Sequence, residues 1–279
     1  MICDVHNHFW LPHELGPEVM ADLVRAGGVA IDHSMTSESH LKASQAADTS
    51  IVFGLRAKKT GYHIANDTVK TQVDRAPDRL VFFTSIDPAE DDFMGELERT
   101  HRDLGAKGIK LGPIYQGVHP LDDRYHMIYS YAQRNGLPII THMATTFASG
   151  VPLDYANPVY MSQVAVEYPG LIIVLAHMGH PWIGETVAAI RKEPNLYADI
   201  SALYYRPWQF YNALMLLAEY GTWKKVMFGS DYPCTSVADS IAGVRNANHI
   251  VEGTGLPKIS TEILESILHR DALKIMGIE

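Results

Sequence analysis

The chain has 279 residues, 47% of them hydrophobic and 20% charged, which excludes a disordered or fibrous protein and supplies material for a large core. Its 23 basic against 32 acidic residues give a net charge of −9, which argues against a general nucleic-acid binder yet leaves room for an anionic substrate met by one or two pocket arginines. Two distant cysteines, Cys3 and Cys234, the lack of a basic and apolar leader before the first strand, and a longest apolar run of only LIIVLA (171–176) lead to the expectation of a cytoplasmic protein without a membrane span.

The first predicted strand covers residues 2–8, where Ile2, Cys3 and Val5 lead into two histidines. Side chains two apart on a strand share a face, so His6 and His8 point together. A long stretch containing GPEVMADLVRAGG and SHLKASQAAD follows, enough for a helical excursion over a barrel mouth. SIVFGL from Ser50 reads as the second strand, with Arg56 just beyond it, and RLVFFTSI from Arg79 as the third, leading to Asp87. DDFMGELERTHRDLG (91–105) sets Phe93, Met94, Leu97 and Leu104 along one helical side. GIKLG from Gly108 carries Lys110, and the helix DDRYHMIYSYAQRNG closes on an Asn-Gly stop. LPIITH from Leu137 ends in His142, and the Gly- and Pro-punctuated MATTFASGVPLDYANP after it is expected to act as a lid. LIIVLAH from Leu171 ends in His177, NLYADIS from Asn195 in Ser201, and KVMFGSD from Lys225 in Asp231, with helical PVYMSQVAVEYPG, WIGETVAAIRKEP and WQFYNALMLLAEYG between them.

Eight near-continuous apolar strands alternating with helices, roughly 30 residues apart after the first, predict an α/β fold of the (β/α)₈ TIM-barrel type in a single domain over residues 1–279, with a helical insertion after strand one. No glycine-rich phosphate fingerprint follows an early strand, which disfavours an open doubly wound sheet.

Barrels of this kind place their chemistry where strands end. There the sequence brings four histidines, His6, His8, His142 and His177, and one carboxylate, Asp231, none of which an apolar core requires. Imidazole nitrogens with a carboxylate oxygen suit one divalent ion, zinc first, with manganese, iron, cobalt or nickel also compatible. In that reading His6, His8, His142 and Asp231 are ligands and His177 is free as a general base or electrophile.

DVHNH, GIKLGP, THM, AHMG and GSDYP, in that order, resemble the amidohydrolase superfamily, in particular the amidohydrolase-related branch that includes aminocarboxymuconate-semialdehyde decarboxylase and resorcylate-type decarboxylases. The resemblance implies a distorted barrel with a single metal, His6, His8, His142 and Asp231 as its ligands and His177 as the catalytic histidine. In dinuclear members of the superfamily a carboxylated lysine ending strand four bridges two ions. Lys110 stands close to that position, so a second ion, a lysine paired with substrate, and a lysine tied to a carboxylate such as Asp87 are the three readings of it, with one ion favoured.

Arg56 and Arg206 are candidate carboxylate clamps and His180 a candidate rim residue. Trp10, Tyr115, Phe147, Tyr204 and Trp208 are candidates for an aromatic wall. The expected activity is hydrolysis of a small ester, lactone or amide, with Asp231 handling the proton. The alternative is non-oxidative decarboxylation of an aromatic or unsaturated acid, which a pocket arginine would favour, and the third reading is a barrel whose ion is purely structural. The partner is a small molecule, with a carboxylate among the candidates, and a homo-oligomer is compatible with the sequence.

Overall fold

The computed structural model describes residues 1–26 and 34–278. Eight parallel strands form a ring in chain order: Cys3–His8, Thr49–Phe53, Leu80–Phe82 resuming at Thr84–Ser85, Ile109–Leu111, Ile139–Thr141, Ile173–Leu175, Leu196–Asp199 and Val226–Met227. The third strand changes partners at its break: the Phe83 amide donates to Val52 O of the second strand (3.0 Å) and the Thr84 amide to Gly108 O before the fourth (3.0 Å). Beyond the eighth strand the chain closes back on the first. Val5 N–H donates to Phe228 O (3.0 Å), Asp231 N–H to His6 O (2.8 Å) and His8 N–H to Tyr232 O (2.9 Å). Each strand sits within two residues of its predicted start.

The helices fall where the periodicity places them, at Phe93–Arg102, Asp123–Asn135, Val159–Glu167, Ile183–Lys192 and Pro207–Tyr220. Asn135 and Tyr220 are each followed by a left-handed glycine, Gly136 (φ 65°) and Gly221 (φ 67°), the residue type that ends a helix without Cβ strain. The excursion after strand one holds two helices, Pro17–Ala26 and Ser37–Ser44; Gly27 and Gly28 of the predicted segment lie outside the described residues. A short antiparallel hairpin (Arg56–Ala57 with Tyr62–His63) and the helix Asn66–Val73, which periodicity did not single out, follow the second strand. Among the described residues no helix is long and apolar enough to cross a membrane.

The barrel interior is filled by Val5, Ile51, Phe53, Phe83, Ile140, Val174 and Met227, all fully buried, with Ala272, Met276 and Ile278 packed on the same cluster from the end of the chain. Strict alternation from Val5 would turn Asn7 inward and His6 and His8 outward. A register shift prevents this: Asp4 pairs with Ser50 but Asn7 with Val52, so the first strand advances three residues where the second advances two. This β-bulge inserts one residue and changes the facing phase, bringing His6 and His8 onto the inner side above Val5. The Asp4 carboxylate holds it, accepting the His6 amide (3.1 Å), the Asn7 side-chain amide (3.0 Å) and, across the closing seam, the Ser230 amide (2.8 Å) and hydroxyl (2.7 Å).

Gly229 of the GSD motif faces the back of His6. A Cβ there would lie 2.7 Å from His6 Cβ and 3.3 Å from Ser201 Cβ. Gly229→Ala is therefore expected to force the seam apart and cost about 1–3 kcal/mol, read as a lower denaturant midpoint; an unchanged midpoint would show that the seam is loosely packed.

Candidate metal centre and cavity

The strand ends bring the predicted donors together. His6 Nε2 lies 3.2 Å from His8 Nε2 and 3.3 Å from Asp231 Oδ1, and His8 Nε2 lies 3.5 Å from the same oxygen. Beside them His142 Nδ1 faces His177 Nε2 at 3.1 Å. Two of these residues, His177 (φ 58°) and Asp231 (φ 61°), take the left-handed backbone that L-residues seldom adopt, a local strain characteristic of functional sites. At both positions the turn swings the side chain over the barrel mouth instead of continuing along the strand.

Hydrogen-bond partners dictate which ring nitrogens carry protons. His6 Nδ1 faces the fully buried Asp199 carboxylate (2.9 Å), so its proton sits there and Nε2 presents a lone pair. Ser201 donates its hydroxyl to Asp199 and therefore accepts from His177 Nδ1 (2.7 Å), which leaves His177 Nε2 as a lone pair. His142 Nε2 faces the carbonyl of Ala144 (2.9 Å), so His142 Nδ1 is likewise an acceptor. The His6 lone pair thus faces His8 and the Asp231 carboxylate, and beside it the lone pairs of His142 and His177 face each other with no proton between them.

This is the donor set of a cation site. Ligands about 2.0–2.2 Å from a tetrahedral ion stand about 3.4 Å apart, and the His6, His8 and Asp231 atoms are spaced at 3.2 to 3.5 Å. These three residues form a group able to hold a metal ion. The Asp199–His6 bond is the kind of outer support that fixes a ligating imidazole and raises its basicity. The residues fit a divalent ion.

Burial dominates the electrostatics. It lowers the basicity of His6, His8 and His142 and pulls His177 down to about 4, so the four are neutral at physiological pH. For Asp231 burial alone would act upward, but His177, His8 and His6 around it hold its carboxyl well below the usual range. Lys110 is fully enclosed, with Nζ 3.0 Å from His6 Nε2 and 4.4 Å from the centre of the Phe53 ring; burial brings it down to about 8, with Asp199 and Asp231 acting in opposition.

Above the donors opens a cavity of about 320 Å³. His8, Lys110, His142, His177 and Asp231 line its base, and Trp10, Tyr62, Tyr115, Phe147 and Tyr205 its walls. Leu23 and Ala26 of the insertion helix form the roof, which is tied to the loop after strand five: Asp22 accepts from Ser149 N (2.9 Å) and Oγ (2.9 Å), and Arg25 donates to Phe147 O (2.7 Å). Arg206 and His180 line the cavity as well. The Arg206 guanidinium lies 4.4 Å from the Tyr205 ring centre, and its Nη1 donates to Ala202 O (2.9 Å).

Other expectations are corrected. Arg56 does not line the cavity; its guanidinium is closed on Glu90 through bonds of 2.8 and 2.6 Å. Asp87 is no partner of Lys110, since its carboxylate receives the amides of Lys58 (2.9 Å) and Ala89 (2.9 Å). Tyr204 turns its hydroxyl to Gly229 O (2.7 Å) and Trp208 is 59% exposed, so neither belongs to the aromatic wall. The sequence reading missed Asp4, Asp199, Tyr62 and Tyr205. Asp199 carries a legible signal, a carboxylate inside the strand-end run NLYADIS two residues before its terminal Ser201.

A model of the amidohydrolase family matches residues 3–278. No curated protein matches the sequence. Among solved structures the chain resembles 5-carboxyvanillate decarboxylase from Sphingomonas paucimobilis, with a TM-score of 0.70 at 18% identity over 100% of this chain and 99% of that one. It also resembles a probable 2-pyrone-4,6-dicarboxylic acid hydrolase from Acinetobacter baumannii with citric acid bound, with a TM-score of 0.68 at 15% identity over 99% of each chain. A third is 5-carboxyvanillate decarboxylase from Novosphingobium aromaticivorans complexed with manganese and 4-hydroxy-3-methoxy-5-nitrobenzoic acid, with a TM-score of 0.67 at 15% identity over 100% of this chain and 96% of that one. At these identities the likeness shows a shared fold.

The neutral histidines set a direction for acid stability. In the unfolded chain they take up protons near their ordinary value of about 6.5, whereas in the folded chain burial holds them lower. The unfolded state therefore binds more protons below about pH 6.5, and stability falls as pH falls through that window. Asp4, raised to about 6 by burial against its hydrogen bonds to Ser230, His6 and Asn7, and Asp87, raised by burial, act in the opposite sense but are two groups against these four histidines. The urea midpoint of chelator-treated protein is expected to be lower at pH 5 than at pH 7; an equal or higher midpoint at pH 5 contradicts neutral burial.

Proposed function

The chain belongs to the amidohydrolase family, and from that premise we propose that it is a metal-dependent, non-oxidative decarboxylase of an aromatic or unsaturated carboxylic acid. The observation that carries this reading is the cavity itself: about 320 Å³ lined by Trp10, Tyr62, Tyr115, Phe147 and Tyr205, with the half-buried cation Arg206 among its lining residues. The sequence alone ranks hydrolysis first and makes a buried pocket arginine the feature that favours decarboxylation; Arg206 lines the pocket and is half-buried. Two of the structural relatives named above carry decarboxylase names, which supports the same choice.

His6, His8, His142 and Asp231 would hold the ion, manganese before zinc, since the Novosphingobium relative is complexed with manganese. When bound, a divalent ion supplies Lewis-acid polarisation of a substrate hydroxyl or carboxylate oxygen. The remaining work falls to the chain. Arg206, whose plane is held by Tyr205 and Ala202 O, presents a bidentate fork to a carboxylate. Trp10, Tyr115 and Phe147 enclose the ring and keep bulk water from it. His177, neutral and oriented by Ser201, offers its Nε2 lone pair to a substrate hydroxyl proton. Asp231, ionised at rest at the cavity base, would take up one proton from solvent and pass it to the ring carbon, while His177 returns its proton to the hydroxyl oxygen. The bond from that carbon to the carboxylate then breaks, its electron pair stays on the ring, and carbon dioxide leaves, with one proton consumed and no oxidant needed. Lys110 adds positive charge at the base, where the substrate anion would enter.

Hydrolysis is the second reading, favoured by the hydrolase name of the Acinetobacter relative. The two separate on product. Protein loaded with Mn²⁺ is expected to release carbon dioxide from one or more members of a panel of hydroxybenzoates and carboxylated phenols, and to leave lactones and esters intact. Turnover of lactones without carbon dioxide release would replace this reading by hydrolysis. With the active acid, His177→Asn is expected to lower kcat by about 10²–10⁴, and Arg206→Met to act mainly on KM; full activity in His177→Asn removes that residue from the chemistry.

A further inference from the structure

The insertion helix Ser37–Ser44 buries a histidine completely, far from any role in the chemistry above. His40 sits between two amide side chains. Gln72 Nε2 lies 3.0 Å from the Ser37 carbonyl and 2.9 Å from His40 Nδ1. A carbonyl only accepts, so the Gln72 amide nitrogen must face that way and must donate to His40 Nδ1 as well. The His40 proton is therefore on Nε2, which donates to Asn7 Oδ1 (3.0 Å). Asn7 Nδ2 in turn donates to Asp4 Oδ2 (3.0 Å), and Asp4 receives the amides of His6 and Ser230. Gln72, His40, Asn7, Asp4 and Ser230 are each at most 1% exposed. The rings of Phe9 and Tyr232 stand 5.0 and 5.9 Å from His40, enclosing it edge-on.

The relay runs in one direction, from an amide on the helix Asn66–Val73 to the carboxylate that clamps the bulge. Its middle member, Asn7, lies between His6 and His8 and points to the opposite side of the strand. Whatever holds Asn7 outward holds its two neighbours inward.

We propose that His40 is a positioning residue for the metal centre: it anchors Asn7 so that the bulged first strand keeps His6 and His8 aimed together at the ion. The inference rests on reading His6, His8 and Asp231 as ligands. An apolar side chain at 40 leaves a buried Asn7 carbonyl unpaired and frees the strand to slip in phase, whereas glutamine can supply the same donor and acceptor. Outer hydrogen-bond partners of this kind carry about 10–100-fold in metal affinity.

The test is Mn²⁺ affinity, read from the electron paramagnetic resonance signal of the free ion in equilibrium with the apoprotein, together with thermal unfolding of each apoprotein. His40→Phe is expected to weaken Mn²⁺ binding about 10–100-fold, and His40→Gln to restore most of it at similar apoprotein stability. Wild-type affinity in folded His40→Phe, with or without a lower Tm, overturns the inference, because a purely structural histidine would give that result. Where His40→Phe does not fold, Gln72→Leu removes the donor that sets the tautomer and is expected to loosen Mn²⁺ in the same sense; unchanged affinity there is equally fatal. A wild-type protein that takes up no Mn²⁺ or Zn²⁺ brings down the metal reading, and this inference with it.

Discussion

A single extra residue in the first strand determines what this barrel can do. Side chains on a strand alternate, and Val5 is committed to the interior cluster. Only a change of phase between Asp4 and Asn7 lets the next inward positions be His6 and His8. Asp4 makes that change affordable. It receives the amide and side-chain donors that a bulge leaves without ladder partners, and it joins them to Ser230 on the closing strand. The carboxylate that closes the barrel seam is thus also the one that aims His6 and His8.

From that constraint follows the electrostatic character of the centre. Four histidines and an aspartate are brought out of water into one small volume, where burial keeps the imidazoles neutral and their other hydrogen bonds turn the lone pairs toward each other. Such an assembly is costly without a cation, because the acceptors have lost water and gained few donors. Asp199 is the organiser on the far side. It receives His6 Nδ1, the His177 amide (3.0 Å) and Ser201, so one carboxylate sets the proton positions of a proposed ligand and of the proposed base together. Binding energy and proton bookkeeping at the site are therefore coupled through groups that never meet the substrate.

The cavity above is built from the connections that follow the strands. Its roof is a helix of the insertion, held down by Asp22 and Arg25 on the loop after strand five, and its cation comes from the loop after strand seven. This division is common to barrels: the ring holds the reactive atoms rigid while the loops shape what is admitted.

Much was legible in the residues themselves. Apolar runs recurring along the chain, and histidine or aspartate directly after LPIIT, LIIVLA and VMFGS, identify the strands and the mouth of the barrel, because strand propensity and alternation are local properties that need no partner to be read. What lay beyond that reading is set by contacts distant in the chain. Arg56 and Arg206 read alike as clamps, yet Arg56 is taken by Glu90, 34 residues on, while Arg206 is stacked at the cavity. The bulge is a matter of register between strands separated by the whole insertion, and no local pattern in CDVHNH reveals it. The sequence by itself determined which residues stand at the strand ends; the tertiary structure decided which way they face and which charges are left over for a substrate, since phase and pairing exist only once distant strands have met.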